Sequence, residues 1–156
     1  MYAKNDIERL IDSAKKYGLC IPTEMLAMPS EELCKICNGI GCEHEEHIPS
    51  ALRKVLNKVM KFAECSAAIH DYCYYNSNGT EDSRKAIDRM FRENMLDEIR
   101  ARNARFRWLK EWLAIRAYET VRKCGRSDWC IAFAERINDN NQKEEEANAD
   151  NTNTVG

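Results

Sequence analysis

A histidine and an aspartate fall on two successive segments whose apolar spacing predicts helices. His70 lies on a helix face otherwise made of small or aromatic residues at three-and-four spacing, namely Ala63, Ser66, Ala67 and Tyr74. Asp88 borders the apolar stripe of the following helix, which comprises Ile87, Phe91, Met95 and Ile99. By itself His70 would fit a satisfied core residue, but a carboxylate held against a core needs a partner. We therefore predict that Asp88 meets His70, which would leave the other ring nitrogen as a general base.

Asp71 points about 100° away from His70 around the same helix, so it faces a different neighbour. The earlier segment Cys37–Gly41 has the sequence Cys-Asn-Gly-Ile-Gly, and its glycines allow backbone carbonyls to converge. Calcium prefers carboxylate and carbonyl oxygens, so Asp71 and this loop form a candidate calcium site. On composition alone the favoured alternative is a surface acid beside an ordinary turn, because short motifs arise by chance.

The same segment offers a competing metal site. Five thiol or imidazole side chains lie within fourteen residues, namely Cys34, Cys37, Cys42, His44 and His47. Thiolates and imidazoles at such spacing are typical ligands of zinc. A structural zinc ion is therefore the alternative cofactor, and it would compete with calcium for the loop.

The elements that must position these residues are all predicted to be helices, because no segment alternates apolar and polar residues as a strand does. Helical periodicity covers residues 6–17, 30–36, 49–75 with a break near Lys61, 81–102, 104–123 and 128–137. A turn at Asn76–Thr80 makes the two site helices antiparallel neighbours. We predict one all-α domain over residues 1–137 and a disordered, acidic and polar tail over residues 138–156.

The chain of 156 residues carries a net charge of only -2, which by itself indicates neither a nucleic-acid-binding protein nor a strongly acidic one. No stretch approaches the roughly 20 apolar residues of a membrane span, and the polar N-terminus is unlike a signal peptide. We expect a cytoplasmic or virion-associated protein whose eight cysteines are reduced thiols or metal ligands.

Residues 100–126 are strongly basic, with nine basic side chains against two acidic ones. Four aromatic residues are interleaved with them, namely Phe106, Trp108, Trp112 and Tyr118. This pattern fits nucleic-acid binding or docking onto anionic lipid headgroups. The favoured alternative is a solvated helix whose aromatic residues pack inward.

The residues around His70 resemble the catalytic helix of phospholipase A2 enzymes. Ile69-His70-Asp71-Tyr72-Cys73-Tyr74 is similar to their His-Asp-x-x-Tyr helix, and Asn38-Gly39-Ile40-Gly41 is similar to their Gly-x-Gly calcium loop. Ala86-Ile87-Asp88-Arg89-Met90-Phe91 resembles the Ala-Asp-x-x-Phe element of compact viral members, with Ile87 inserted. The order of these motifs, followed by Arg116–Arg122, is most similar to phage and prophage proteins of this superfamily. The resemblance covers about residues 34–125.

The resemblance implies a core of two antiparallel helices preceded by a Gly-x-Gly loop, with accessory helices at both ends. It implies that His70 deprotonates the attacking water, that Asp88 orients His70 and that Tyr74 hydrogen-bonds Asp88. The implied calcium ligands are Asp71 and the carbonyls of Cys37, Gly39 and Gly41. Calcium and the Gly39 amide would stabilise the oxyanion. The implied reaction is calcium-dependent hydrolysis of the sn-2 ester of a glycerophospholipid at a membrane surface.

The disulfide framework of secreted members is missing from this sequence. Positions that match their cysteines hold Asn38, Ser66 and Ala67, and Ile87 occupies the position of the usual partner of Cys73. This loss suits a reducing compartment. The alternative function is a non-enzymatic phage accessory or virion protein that keeps the helical scaffold, with zinc as its structural cofactor.

Overall fold

The structure is a computed structural model that describes residues 2–37, 60–103 and 105–153. These residues form helices and no strand, which confirms the predicted all-α class. In chain order the elements are α1 Lys4–Lys16, α2 Thr23–Ala27, α3 Ser30–Ile36, a 3-10 helix Met60–Ala63, α4 Glu64–Tyr75, α5 Glu81–Ala101, α6 Arg107–Cys124 and α7 Arg126–Asn153. The 3-10 helix coincides with the predicted break near Lys61. Within these ranges, no helix combines the length and hydrophobicity needed to cross a membrane.

Helix α4 lies between two hydrophobic cores and is buried on nearly every side. One side packs against α1, α2 and α3 in a first core that contains Ile7, Leu10, Met25, Leu33 and Ile69. The opposite side packs against α5 and α6 in a second core that contains Ala63, Ala67, Phe91, Met95, Ile99 and Ala114. A helix can be buried all round only when few of its faces are polar, and the sequence of α4 meets this condition.

Two buried polar side chains of α5 fasten the neighbouring segments. The Asn94 side-chain amide donates to the Cys20 carbonyl at 2.9 Å, and its oxygen accepts from the Cys20 N–H at 2.8 Å. One turn further on, the Glu98 carboxylate accepts from the N–H and hydroxyl of Ser66, at 3.0 and 2.7 Å, and from Arg102 at 2.6 Å. Because Ser66 lies one helical turn before His70, the Glu98 contact fixes the register of α4 against α5.

The turn between α4 and α5 is formed as the sequence predicts. Asn78 Oδ1 accepts from the N–H and hydroxyl of Thr80, and Thr80 Oγ1 caps α5 by accepting from the Ser83 N–H at 3.2 Å. Gly79 has a φ of +75°, and an added Cβ there would stand 2.7 Å from the Phe133 ring of α7. Glycine is therefore required both by the backbone conformation and by the close approach of α7.

The aromatic residues at the start of α6 do not pack inward, so the favoured sequence interpretation is wrong for three of the four. Phe106, Trp108 and Trp112 are 58%, 71% and 53% exposed, whereas Tyr118 is half-buried against the second core. The inner face of α6 instead carries Ala114, Ala117, Tyr118 and Val121. Periodicity could not distinguish the two sides, because both sides of α6 carry apolar residues.

Helix α7 continues to Asn153, past the predicted helix end near Ile137. The polar residues after Ile137 include helix formers such as Glu, Ala, Gln and Lys, and neither Gly nor Pro interrupts them before Asn153. One contact from this part reaches the core helices, because the Tyr75 hydroxyl donates to Asp139 at 2.6 Å. The division into a domain over residues 1–137 and a disordered tail over residues 138–156 stays a prediction.

Candidate active site

The structure brings His70 of α4 and Asp88 of α5 into direct contact, as the sequence predicts. His70 Nε2 lies 3.0 Å from Asp88 Oδ1, and the Tyr74 hydroxyl donates to the same oxygen at 2.5 Å. The Asp88 side chain is fully buried, and that of His70 is 8% exposed. A carboxylate oxygen only accepts, so His70 must carry its proton on Nε2, which leaves the lone pair of Nδ1 as the basic position.

Two aromatic rings hold the imidazole of His70 in place. The ring centroids of Tyr74 and Phe91 lie 4.0 and 4.4 Å from that of His70. Tyr74 follows His70 by one turn of α4, and Phe91 follows Asp88 by one turn of α5. The same two helices therefore supply the His70–Asp88 pair, which we call the dyad, and the two rings that pack against His70. The orientation of the ring is therefore fixed by packing as well as by the hydrogen bond to Asp88.

Asp88 also belongs to a ring of alternating charges, which we call the ion ring: Glu81, Arg84, Asp88 and Arg122. Asp88 Oδ2 accepts from Arg122 at 2.7 Å and from Arg84 at 3.4 Å. Glu81 accepts from the same two arginines, at 2.8 and 2.9 Å from Arg84 and at 3.2 Å from Arg122. The two carboxylates and two guanidiniums balance in charge, and Arg122 links α6 to the dyad.

The two arginines are site residues that sequence reasoning missed. Arg84 precedes Asp88 by four residues on one helix, a spacing that could have identified it. Arg122 follows Asp88 by 34 residues, so helical spacing does not relate the two. The sequence singled out Arg122 only as part of the Arg116–Arg122 segment, and the basic residues around it suggested a solvent-exposed surface. The structure instead places Arg122 beside the fully buried Asp88, with 23% of its own side chain exposed.

The surroundings set the charge of each group in the site. Burial lowers the pKa of His70, although the hydrogen bond and charge of Asp88 oppose this effect. Burial raises the pKa of Asp88, but hydrogen bonds from His70, Tyr74 and Arg122 outweigh it, so the net direction is downward. Burial and Asp88 together raise the pKa of Tyr74. Near neutral pH the site therefore holds a neutral imidazole beside an ionised carboxylate.

The candidate calcium site lies partly outside the described residues, because Gly39 and Gly41 fall there. Asp71 is half-buried on α4, one position after His70. Cys37 is buried, and its thiol lies 3.4 Å from the Ala68 carbonyl, to which it donates. Burial raises the pKa of the Cys37 thiol, and the negative charge of Asp71 raises it further. The calcium site therefore stays a prediction.

The alternative zinc site is described only at Cys34 and Cys37. The other three candidate ligands, namely Cys42, His44 and His47, lie outside the described residues. Cys34 is half-buried and Cys37 is fully buried, and both are free thiols. Among the residues that the structure describes, no three histidine, cysteine, aspartate or glutamate side chains are grouped as metal ligands would be.

Comparison of the chain with family models, with curated proteins and with solved structures finds no match. The arrangement itself defines a chemical capacity. An imidazole with one committed and one basic nitrogen, held by a buried carboxylate, has the groups needed to activate a water molecule.

Proposed function

We propose that this protein is a hydrolase in which His70 activates water, and that its substrate is the sn-2 ester of a glycerophospholipid. The observation that carries the proposal is the buried contact of 3.0 Å between His70 Nε2 and Asp88 Oδ1. The choice of ester comes from the resemblance of the His70, Asp88 and Gly39 segments to phospholipase A2 enzymes. The geometry supports the general base, and the resemblance supplies the substrate.

The chain's own side chains account for the proton transfers of such a reaction. Nδ1 of His70 takes a proton from water, and the water oxygen attacks the ester carbonyl carbon. Asp88 stabilises the imidazolium that forms, and Tyr74 holds the accepting oxygen of Asp88 in position. His70 then returns the proton to the glycerol oxygen as the ester C–O bond breaks. The products are a fatty acid and a lysophospholipid.

Calcium is the cofactor that this proposal includes. Asp71 and the carbonyls of Cys37, Gly39 and Gly41 would hold it. When bound, calcium would supply a positive charge that stabilises the developing oxyanion. Asp71 supports this assignment because its negative charge contributes to the raised pKa of the Cys37 thiol at the start of the loop.

The ion ring favours a second candidate, a non-enzymatic scaffold protein of the phage accessory or virion kind. Arg84 and Arg122 satisfy Asp88 without any reaction, because each approaches Oδ2 within 3.4 Å. Buried carboxylates in ordinary cores are likewise paired and hydrogen-bonded, without any catalytic role. The two candidates therefore differ in whether His70 has a chemical task.

Release of fatty acid from phospholipid vesicles distinguishes the two candidates. With calcium present, the purified protein should release the sn-2 acid from a substrate whose two acyl chains differ in mass. The His70→Gln variant should be slower by about 10²- to 10⁴-fold, the usual contribution of a general base. The control is Tyr75→Phe, which alters a neighbouring hydroxyl that contacts Asp139 rather than Asp88. Absence of release, or equal release by His70→Gln, would favour the scaffold.

A further inference from the structure

The outer face of α6 carries an exposed apolar stripe within the most basic part of the chain. Five large side chains are exposed at its start: Phe106, Trp108, Leu109, Trp112 and Ile115. Trp108, Trp112 and Ile115 follow four-and-three spacing, so they share one side of the helix. Ala114, on the opposite side, is completely buried. Helix α6 therefore has one apolar side in the second core and another exposed to solvent.

Positive charges accompany this stripe directly. The Arg105 guanidinium lies 5.1 Å from the ring centroid of Phe106, and that of Arg116 lies 5.9 Å from the ring of Trp112. Residues 105–119, which contain this stripe, carry four basic side chains and two acidic ones, whereas the whole chain has a net charge of -2. The charge complementary to this face is therefore negative.

The backbone before α6 holds one of these rings outward at a conformational cost. Phe106 has a φ of +58°, a left-handed conformation that a bulky side chain rarely adopts. Burial offsets little of this cost, since Phe106 stays 58% exposed. Residues with such strained backbone conformations cluster at sites that contact ligands.

We propose that the outer face of α6 docks onto an anionic phospholipid surface. Tryptophan and phenylalanine with arginine beside them suit the boundary between headgroups and acyl chains. Leu109 and Ile115 favour lipid over nucleic acid, because aliphatic side chains enter hydrocarbon but do not stack on bases. A second copy of the chain would oppose this basic face with an identical one, so charge repulsion disfavours self-association. The inference extends the proposed function, but its test measures binding alone.

Co-sedimentation with vesicles of ether-linked phosphatidylglycerol, in the presence of a calcium chelator, tests the docking surface. Ether lipids have no ester to hydrolyse, so a failure of the proposed hydrolase leaves this test unaffected. The parent should bind these vesicles more tightly than ether-linked phosphatidylcholine vesicles, and added salt should weaken the binding. The double variant Trp108→Ala/Trp112→Ala should bind these vesicles at least roughly tenfold more weakly than the parent. The control Leu26→Ala removes an exposed apolar side chain of α2, which lies outside the proposed surface.

Tryptophan fluorescence locates the contact. Trp129 is buried and its indole donates to the Ser77 hydroxyl at 2.9 Å, so it should not respond to vesicles. Emission of the parent should shift to shorter wavelength on binding, and the double variant, which keeps only Trp129, should show no shift. Should the double variant not fold, Arg116→Glu replaces it, with Lys85→Glu on α5 as the matched charge reversal.

Three results would overturn the inference. The first is equal vesicle binding by the parent and the double variant, or no binding by the parent. The second is a dimer of the parent in solution that the Trp108→Ala/Trp112→Ala change dissociates, since a second copy would then occupy the face. The third is tighter binding to single-stranded nucleic acid than to anionic vesicles.

Discussion

His70 is buried as a neutral ring, which makes the free energy of unfolding depend on pH. The unfolded chain takes up a proton at His70 near pH 6.5, the usual pKa, whereas the folded protein takes it up only at lower pH because burial lowers the pKa. The contribution of His70 is therefore fully present above about pH 6.5 and declines as the pH falls below it. Denaturant unfolding at several pH values should show this loss.

The His70→Gln variant isolates that contribution from the other titrating groups. Glutamine does not ionise, so the stability of the variant should fall less steeply than that of the parent between about pH 6.5 and the lower pKa of the folded state. If the free energy of unfolding of the two proteins changed with pH in parallel, His70 would be protonated equally in the folded and unfolded states.

Arg122 should control the basicity of His70 through Asp88. Its guanidinium lies 2.7 Å from Asp88 Oδ2 and partly cancels the negative charge that stabilises the imidazolium. The Arg122→Gln variant should therefore raise the pKa of His70, and nuclear magnetic resonance titration of the imidazole measures this directly. Lys123→Gln, which removes an exposed charge one residue later, should leave the titration unchanged. A fall in the pKa of His70 in Arg122→Gln would contradict the assigned role.

The contacts within the site were predictable where the apolar spacing of two adjacent helices gave the position of both partners. His70 and Tyr74 share one face of α4, and Asp88 borders an apolar stripe, so a hairpin of two helices had to bring them together. Arg122 was not predictable in this way, because its partner lies 34 residues away on a different helix. Periodicity gives the face of a helix that is buried, but it does not give the identity of the helix opposite.

At the scale of elements, α5 contacts both α4 and α6, and Asn94 joins α5 to the N-terminal part of the fold by two hydrogen bonds. Asn94→Ala removes both hydrogen bonds to the backbone of Cys20, which is 74 residues away. Two lost bonds should lower the free energy of unfolding by about 2–3 kcal/mol. Chemical denaturation measures this loss, and Glu93→Ala at the exposed neighbouring position should change stability by roughly 0.5 kcal/mol or less. Equal effects of the two substitutions would contradict the role of Asn94.

The helices themselves were largely predictable, because their apolar spacing and their turns agree. The Asn76–Thr80 turn forms where Asn78 and Gly79 indicate it, and α1 ends beside Gly18. Helix α2, the start of α6 and the end of α7 were not predicted. Phe106 adopts a left-handed conformation that its residue type does not indicate, and the polar end of α7 lacks the apolar spacing used to recognise helices.

Across the whole molecule, charge is distributed unevenly around a small net value. Residues 100–126 carry most of the excess positive charge, while the last part of the chain contains Glu144, Glu145 and Glu146. A net charge of -2 therefore says little about partners, because a surface responds to its local charge within a Debye length of about 8 Å. Arg122 and the exposed stripe belong to the same helix, so α6 connects the basic surface to the buried dyad.

At the scale of the whole chain, metal binding distinguishes the calcium interpretation of the loop from the zinc interpretation. If Asp71 and the loop bind calcium, a free calcium concentration of about 100 times the dissociation constant should raise the free energy of unfolding by about 2.7 kcal/mol. Asp71→Asn should abolish this increase, because it removes the carboxylate that best suits calcium. Asp82→Asn, at a side chain that is 92% exposed on α5, is the control and should keep it.

Elemental analysis of the purified protein then separates calcium from zinc, because the two ions select different ligands. The calcium assignment predicts that a mild chelator removes the metal and that Cys34→Ser leaves calcium binding intact, since thiols are poor calcium ligands. The zinc alternative predicts one zinc ion per chain that survives mild chelation and is lost in Cys34→Ser. Stoichiometric zinc of this kind would overturn the calcium assignment. It would leave open whether the contact between His70 and Asp88 serves catalysis or only stabilises the scaffold.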